Sequence, residues 1–361
     1  MNRVLENKGI ILVVNTVSKP KTNVSLEQWL TDLSNKIIAG YRITKKEALR
    51  LTEIEGEENI LLLCEKADRI RQECCGNVVD LCSIVNVKSG NCSENCSFCS
   101  QSVHHQGKDS PIYGLKTREE ILEYAKAADE AGAKRFCLVS QGRGIKYNSP
   151  KNSEFEEILA TVKQIIAETN VKPCCALGEI TIEQAQALKE AGVTRYNHNL
   201  ESSENFYDRI VTTHTWQDRV DTVKNLKAVG IQACTGGIMG MGESWTDRID
   251  LALSLRELEV ESVPINFLNP REGTPLGEQI KLTPLEAVKA IAIFRFILPT
   301  QILRYAGGRE AVLGEWQKQG LKSGINAMLI GNYLTTLGQS PEQDHAMLTE
   351  LGLEGGETPV K

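Results

Sequence analysis

Three cysteines, Cys92, Cys96 and Cys99, stand at C-x3-C-x2-C spacing within KSGNCSENCSFCSQS, residues 88–102. Glycine, asparagine and serine dominate the positions around them, so the stretch reads as a loop with few side chains bulky enough to shield the thiols. A loop of this kind wraps three thiolates around one metal centre. A structural zinc site normally closes with four protein ligands, whereas a cubane cluster held by three cysteines keeps one iron open for another molecule. Incidental loop cysteines and an incomplete zinc knuckle are the competing readings of the spacing alone.

Other reactive residue types fall in runs that read as strands. Cys137 lies in RFCLV, Cys174 in KPCCAL, Cys234 in QACTGG and Arg304 in ILRYAGGRE. One such cysteine is ordinarily a small core residue. An arginine there differs, because its charge cannot be removed by deprotonation and its burial demands an anion or an unusual partner. Three thiolates and a guanidinium converging in one cavity would satisfy each other through a second, anionic iron-sulfur centre. YNHNLE places Asn197, His198, Asn199 and Glu201 at a strand end. His198 alone reads as a satisfied core histidine, but flanked by two amides and a carboxylate it reads as ligand recognition. Glu201 can accept two hydrogen bonds from the vicinal diol of a ribose. Asn266, in SVPINFL, is an amide that is costly to bury unpaired, and its donor and acceptor suit a cyclic urea or a similar polar head.

The elements that must position these groups are legible in outline. SLEQWLTDLSNKIIAG predicts an amphipathic helix with Ser25 as N-cap, Gln28 as its capping-box partner, and Gly40 past the end. Further helices are predicted from Thr44 and over residues 58–73; Cys64 and the Cys74-Cys75 pair that follows read as packing residues. From Asp80 onward short β-branched runs alternate with longer amphipathic ones. Strands are predicted at 81–87, 135–140, 171–177, 193–200, 231–238, 262–268, 301–307 and 325–331. Helices fall between them, with one more within 308–322. Such alternation specifies parallel β/α units, and eight of them invite closure into a (β/α)8 TIM-type barrel with an N-terminal helical extension. An open doubly wound sheet is disfavoured, because no G-x-G-x-x-G follows the first strand and the polar residues recur at many strands. GGIMGMGE, residues 236–243, reads as a tight turn after the fifth strand, able to admit a ligand's edge. The expected organisation is a disordered extension over 1–24, helices packing on the barrel over 25–79, the barrel over 80–352, and a disordered tail over 353–361.

Composition narrows the class. The 361 residues are 41% hydrophobic, enough for a full core, and the formal charge is -6 with no basic run of the kind that tracks a phosphate backbone. Nucleic-acid binding is disfavoured, and no stretch reaches the roughly 20 apolar residues of a membrane span. Eleven cysteines in a long chain without a visible secretory leader read as reduced thiols in a cytoplasmic protein.

Taken in this order and in these strand positions, KSGNCSENCSFCSQS, YNHNLE, GGIMGMGE, SVPINFL and RYAGGRE resemble the biotin synthase family of radical S-adenosylmethionine enzymes. The likeness runs from about Leu26 to Gly352. It implies that Cys92, Cys96 and Cys99 bind a 4Fe-4S cluster whose open iron holds S-adenosylmethionine. It implies also that Cys137, Cys174, Cys234 and Arg304 bind a 2Fe-2S cluster. Cys174 is chosen over Cys175 because the family cysteine stands four residues before the glycine that is Gly178 here. Asn199, Glu201 and Arg219 match positions near S-adenosylmethionine, and Asn199 and Asn266 positions near dethiobiotin. Glu201 stands where some members have aspartate, and LVSQGRG at 138–144 departs from the family's Ala-rich loop. The implied activity is that of a sulfurtransferase. Radicals made by reductive cleavage of S-adenosylmethionine at the 4Fe-4S cluster remove hydrogen from dethiobiotin, and the 2Fe-2S cluster supplies the sulfur of biotin. The chemistry would be carried by clusters and S-adenosylmethionine, with no protein acid or base. A flavodoxin- or ferredoxin-type electron donor, iron-sulfur assembly proteins and a homodimer are implied as partners. Another radical enzyme of the same barrel would lack the Cys137, Cys174, Cys234 and Arg304 set, and a non-catalytic iron-sulfur sensor would need a DNA-reading or docking surface that the sequence does not display.

Overall fold

A computed structural model describes residues 25–105, 110–145 and 154–358. The expected extension over 1–24 lies outside the described residues. Helices α1 (Leu26–Ile38), α2 (Lys45–Thr52) and α3 (Glu57–Cys75) come first. Ser25 caps α1 by accepting the Gln28 N–H at 3.1 Å, but the Gln28 side chain donates to Asp32 at 2.9 Å and does not close the expected box. Thr44 and Glu47 do form a reciprocal capping box on α2.

Among the described residues ten strands follow: β1 (Val78–Lys88), β2 (Arg135–Ser140), β3 (Lys172–Ala176), β4 (Arg195–Asn197), β5 (Gln232–Cys234), β6 (Gly237–Met239), β7 (Ser262–Phe267), β8 (Ile302–Tyr305), β9 (Ala327–Leu329) and β10 (Glu354–Gly356). Their named pairings are all parallel, and β1 pairs with both β2 and β9, which closes the barrel. β5 and β6 are two halves of one stave, interrupted at Thr235 and Gly236, so the barrel has eight staves. Helices α4 (Arg118–Glu130), α5 (Glu154–Glu168), α6 (Ile182–Ala191), α7 (Glu204–Tyr207), α8 (Trp216–Ala228), α9 (Trp245–Glu257) and α10 (Pro284–Ile297) connect the staves.

In α10 every residue from Ala287 to Ile297 is buried, Lys289 and Arg295 included. A helix buried all round needs cover on its outer side, and the N-terminal helices supply it. Lys289 donates to the Thr52 carbonyl at 2.7 Å, and Cys64 of α3 lies 3.8 Å from the Val288 carbonyl oxygen. The Cys64 thiol is a packing group, as expected from its spacing.

Three further elements differ from the sequence expectation. The helix within 308–322 is broken into α11 (Arg309–Leu313), a 3-10 turn at Gly314–Trp316, and α12 (Gln317–Leu321), because Gly314 takes φ 50°. A further helix, α13 (Pro341–Glu350), opens on Ser340 with a Gln343 capping box and Pro341 in its first turn. The tail past Leu353 is not wholly disordered: β10 adds alongside Val78–Asp80 of β1. Glu357 then pairs with Arg135 at 2.8 Å and Lys172 at 2.6 Å, and the Thr358 hydroxyl donates to the Val78 carbonyl at 3.0 Å.

The GGIMGMGE stretch, expected as a tight turn, instead runs into β6 at Gly237–Met239, and its first two glycines serve close backbone packing within the barrel wall. A Cβ on Gly236 would lie 1.9 Å from the Pro264 carbonyl oxygen, and one on Gly237 would lie 2.5 Å from the Glu201 carbonyl oxygen. Gly236→Ala should therefore destabilise the protein by roughly 1–3 kcal/mol or more, read as a lower denaturation midpoint. Gly114→Ala, where a Cβ meets nothing within 4 Å, should change stability by no more than about 0.5 kcal/mol.

Candidate functional site

Strand alternation carries the chemistry into the barrel lumen. Side chains two apart share a face, and one cavity of about 350 Å³ is lined by Cys82 and Ile84 of β1, Arg135 and Cys137 of β2, and Cys174 of β3. Arg195 and Asn197 of β4, Cys234 of β5, Asn266 of β7 and Arg304 of β8 also line it, and Cys99 of the cysteine loop reaches the same space. The expected lumen set of Cys137, Cys174, Cys234 and Arg304 is thus brought together around one cavity, with Asn266 beside it. Among the described residues, no three His, Cys, Asp or Glu side chains are gathered as a single metal ion requires.

Four lumen groups were missed in the sequence: Asp80, Cys82, Arg135 and Arg195. Two of them stand two residues before a residue already placed on a strand: Arg135 before Cys137 and Arg195 before Asn197. The period-two step back along each strand was the signal. Asp80 is fully buried, and Arg304 donates to its Oδ1 at 2.5 Å. Its Oδ2 faces Arg195 at 3.7 Å and Arg135 at 3.8 Å. Burial works against the Asp80 charge, but the combined pull of Arg304, Arg195 and Arg135 more than offsets it and holds the carboxyl below its ordinary range.

The anion demanded by Arg304 is therefore supplied first by Asp80. Asp80 cannot balance three guanidiniums, even with Glu357 on Arg135. Three arginines, with Lys172 also drawing on Glu357, leave positive charge in excess of the two carboxylates, and the two Arg195 Nη atoms are buried without a hydrogen-bond partner. A 2Fe-2S centre of charge about +2 held by three thiolates carries one net negative charge, so the lumen's residues fit such a group. Burial pushes the Cys82 thiol up to about 12 and Cys137 well above its ordinary value.

At the lumen mouth the cysteine loop is firmly built. Gly90 opens it at φ 74°, where a Cβ would lie 2.6 Å from Ile112. The Cys92 N–H donates to the Gln101 carbonyl at 2.9 Å, and the Val103 N–H returns a bond to Cys92 at 2.9 Å. Asn95 accepts the Thr212 N–H at 3.0 Å, and Ser97 donates its N–H to Ile210 at 2.8 Å, tying the loop to the segment before α8. Burial pushes the Cys96 thiol up to about 12 and the Cys99 thiol up to about 11, with Cys92 adding to both. Three thiolates so placed would repel one another, which makes the set complementary to a cationic cluster.

Of the expected cofactor residues, Glu201 and Arg219 lie beside the loop cysteines and electrostatically couple to Cys96. Glu201 is buried with φ 65°, and its Oε2 has no hydrogen-bond partner. Arg219 donates to the Asn199 carbonyl at 2.9 Å. None of Asn199, Glu201 and Arg219 lines the cavity itself; the Asn199 side-chain oxygen accepts the Gly236 N–H at 3.1 Å, bridging the gap between β5 and β6. Asn266 donates to the Gly237 carbonyl at 3.2 Å and accepts the Gly307 N–H at 2.9 Å, so its amide is fixed by neighbouring staves. His198 does not line the cavity. Burial, then Arg219 and His214, hold its pKa well below the ordinary value, so it is a neutral core histidine.

A closed eight-stave parallel barrel with a three-cysteine loop at its mouth defines the class. A family profile described as the Radical SAM superfamily matches residues 86–255, and one described as Biotin and Thiamin Synthesis associated domain matches 264–354. The crystal structure of methylornithine synthase shares the fold with TM-score 0.76 at 20% identity, covering 90% of this chain and 97% of that one. The FeFe-hydrogenase maturase HydG from Carboxydothermus hydrogenoformans gives 0.74 at 18% identity, covering 92% and 80%. Closer relatives fix the family. The biotin synthase of Gloeothece citriformis is 76% identical over 344 residues, 95% of this chain and 96% of that protein. That of Trichodesmium erythraeum is 76% identical over 343 residues, 95% of this chain and 93% of that protein. The chain belongs to the biotin synthase family.

The charge arrangement on the lumen floor is directly testable. Asp80→Asn leaves three buried guanidiniums short of a counter-charge and should cost about 3–5 kcal/mol in chemical denaturation. Adding Arg195→Gln should recover part of that loss; a double variant no more stable than Asp80→Asn alone would contradict the arrangement.

Proposed function

We propose that this chain converts dethiobiotin to biotin as a sulfurtransferase of the radical S-adenosylmethionine type. The observation that carries the reading is the single cavity reached both by Cys99 of the loop and by Cys137, Cys174, Cys234 and Arg304 of the lumen. Cys92, Cys96 and Cys99 would hold a 4Fe-4S cluster, and Cys137, Cys174, Cys234 and Arg304 a 2Fe-2S cluster. Asn199, Glu201 and Arg219 would hold S-adenosylmethionine, and Asn199 and Asn266 the dethiobiotin ring. When bound, these groups supply the electron transfer, the hydrogen-abstracting radical and the sulfur atom.

The chain's own part is binding, orientation and exclusion of water. Buried Glu201 offers an unpaired carboxylate oxygen to ribose hydroxyls, and Arg219 offers a fixed cation to a carboxylate. Asn266 lines the cavity, where its amide would meet the polar head of a substrate. Walls of Ile84, Val139, Ile238 and Leu329 line the same space with apolar surface, which separates a reactive species from solvent. Arg304 is fixed against the floor by Asp80.

No helix among the described residues is long and apolar enough to cross a membrane. A cytoplasmic site of action, a flavodoxin- or ferredoxin-type donor, iron-sulfur assembly proteins and a homodimer accompany this reading as part of the proposal. Anaerobic reconstitution with iron and sulfide, then incubation with dethiobiotin, S-adenosylmethionine and a reductant, should yield 5'-deoxyadenosine and biotin. Cluster-loaded protein that makes neither product would overturn the reading. Cys137→Ala should abolish the 2Fe-2S optical signature and leave the 4Fe-4S absorbance in place; loss of both, or of neither, would contradict the two-site assignment.

A further inference from the structure

Arg219 and Glu201 are opposite charges whose side chains are each 11% exposed, yet their nearest atoms stand 3.9 Å apart. A charge-assisted pair closes to about 2.7–2.9 Å when nothing restrains it, and partial burial strengthens the attraction. The restraint lies on the arginine. Its Nε donates to the Tyr207 hydroxyl at 2.5 Å, its Nη1 to the Asn199 carbonyl at 2.9 Å, and its Nη2 meets His214 Nε2 at 2.9 Å.

The histidine contact fixes a tautomer. A guanidinium has only donors, so His214 Nε2 must accept, and the ring proton must sit on Nδ1. From there it is donated to Glu94 Oε2 at 2.8 Å. Glu94 belongs to the cysteine loop itself, two residues from Cys92 and from Cys96. Its other oxygen accepts the Ser93 hydroxyl at 2.8 Å, and its carbonyl accepts the Ser102 hydroxyl at 2.5 Å. A continuous hydrogen-bonded line therefore runs from the loop through His214 to the guanidinium. Of the five guanidinium N–H groups, three are used in these bonds, and Glu201 Oε2 remains without a partner.

We propose that His214 is a positioning residue that holds the Arg219–Glu201 pair open, so that one ligand bearing both an anionic group and hydroxyl donors can take the free valences of each. The proposal rests on the reading of this end of the lumen as the S-adenosylmethionine site, whose carboxylate and ribose are that combination. Without His214, Arg219 loses its anchor on the loop side and closes on Glu201, and both ligand contacts are withdrawn together.

The test compares His214→Leu with His214→Gln in reconstituted holoenzyme, since glutamine restores one donor and one acceptor. The 4Fe-4S absorbance should be the same in both and in the wild type. The Leu variant should raise KM for S-adenosylmethionine roughly tenfold or more, with kcat little changed. It should also lose the shift in the reduced cluster's EPR signal at a cofactor concentration that saturates the wild type. The Gln variant should stay within about threefold of wild type. Equal KM values for Leu and Gln, or a fall in kcat at unchanged KM, would overturn the proposal. If the Leu variant does not retain iron, His214→Lys decides: it presents only donors to Arg219, and a KM no higher than that of the Gln variant overturns the proposal. Wild-type protein whose EPR signal does not respond to S-adenosylmethionine at all would overturn the underlying cofactor reading, a result distinct from a response that His214 leaves unaffected.

Discussion

The structure depends on a carboxylate buried where three guanidiniums meet. Asp80 has no exposed surface, and Arg304, Arg195 and Arg135 all turn toward it from different staves. Removing a charge from water costs several kcal/mol unless partners replace the hydration, so this grouping constrains β1, β2, β4 and β8 to one register. The excess of positive charge that remains after Asp80 and Glu357 makes the floor of the lumen receptive to an anionic group. Structure and chemistry meet here: the residues that fix the barrel's polar core also set the electrostatics of the lumen cysteines.

The mouth of the lumen is organised by a second buried polar group of different character. Glu94, His214, Arg219 and Tyr207 form a line of hydrogen bonds in which each partner's role follows from its donor and acceptor inventory. The floor is fixed by charge, whereas the mouth is fixed by directional bonds that leave Glu201 partly unsatisfied. That difference suits the tasks proposed for them. A floor that receives a resident group must be charged to match it, and a mouth that admits and releases a ligand must keep its bonding capacity open.

The cysteine loop and the eight staves were legible because their signals are local: a three-thiol spacing, β-branched runs, and capping residues. Cys137, Cys174, Cys234 and Arg304 could be placed on strands, and the shared cavity could be anticipated from barrel geometry. What stayed hidden depended on distant partners. Arg135 and Arg195 carry no local signal of their role, since only the fold brings Asp80 beneath them. β10 is Gly-rich and carries no strand-forming side chains; it is held by β1 and by Glu357 on Arg135 and Lys172. His214 sat outside every motif that the sequence offered, and its role follows from Glu94, 120 residues away. The α13 capping box, by contrast, was present in the sequence and overlooked.

The central claim is that one lumen joins two distinct iron-sulfur sites, one at its mouth and one near its floor. Mössbauer spectroscopy of protein reconstituted anaerobically with iron-57 tests it most directly. The account predicts two separable components, a 4Fe-4S centre and a 2Fe-2S centre, with only the second lost when Cys174 and Cys234 are both replaced by alanine. A single component in the wild type, or a double variant whose spectrum is unchanged, would contradict it.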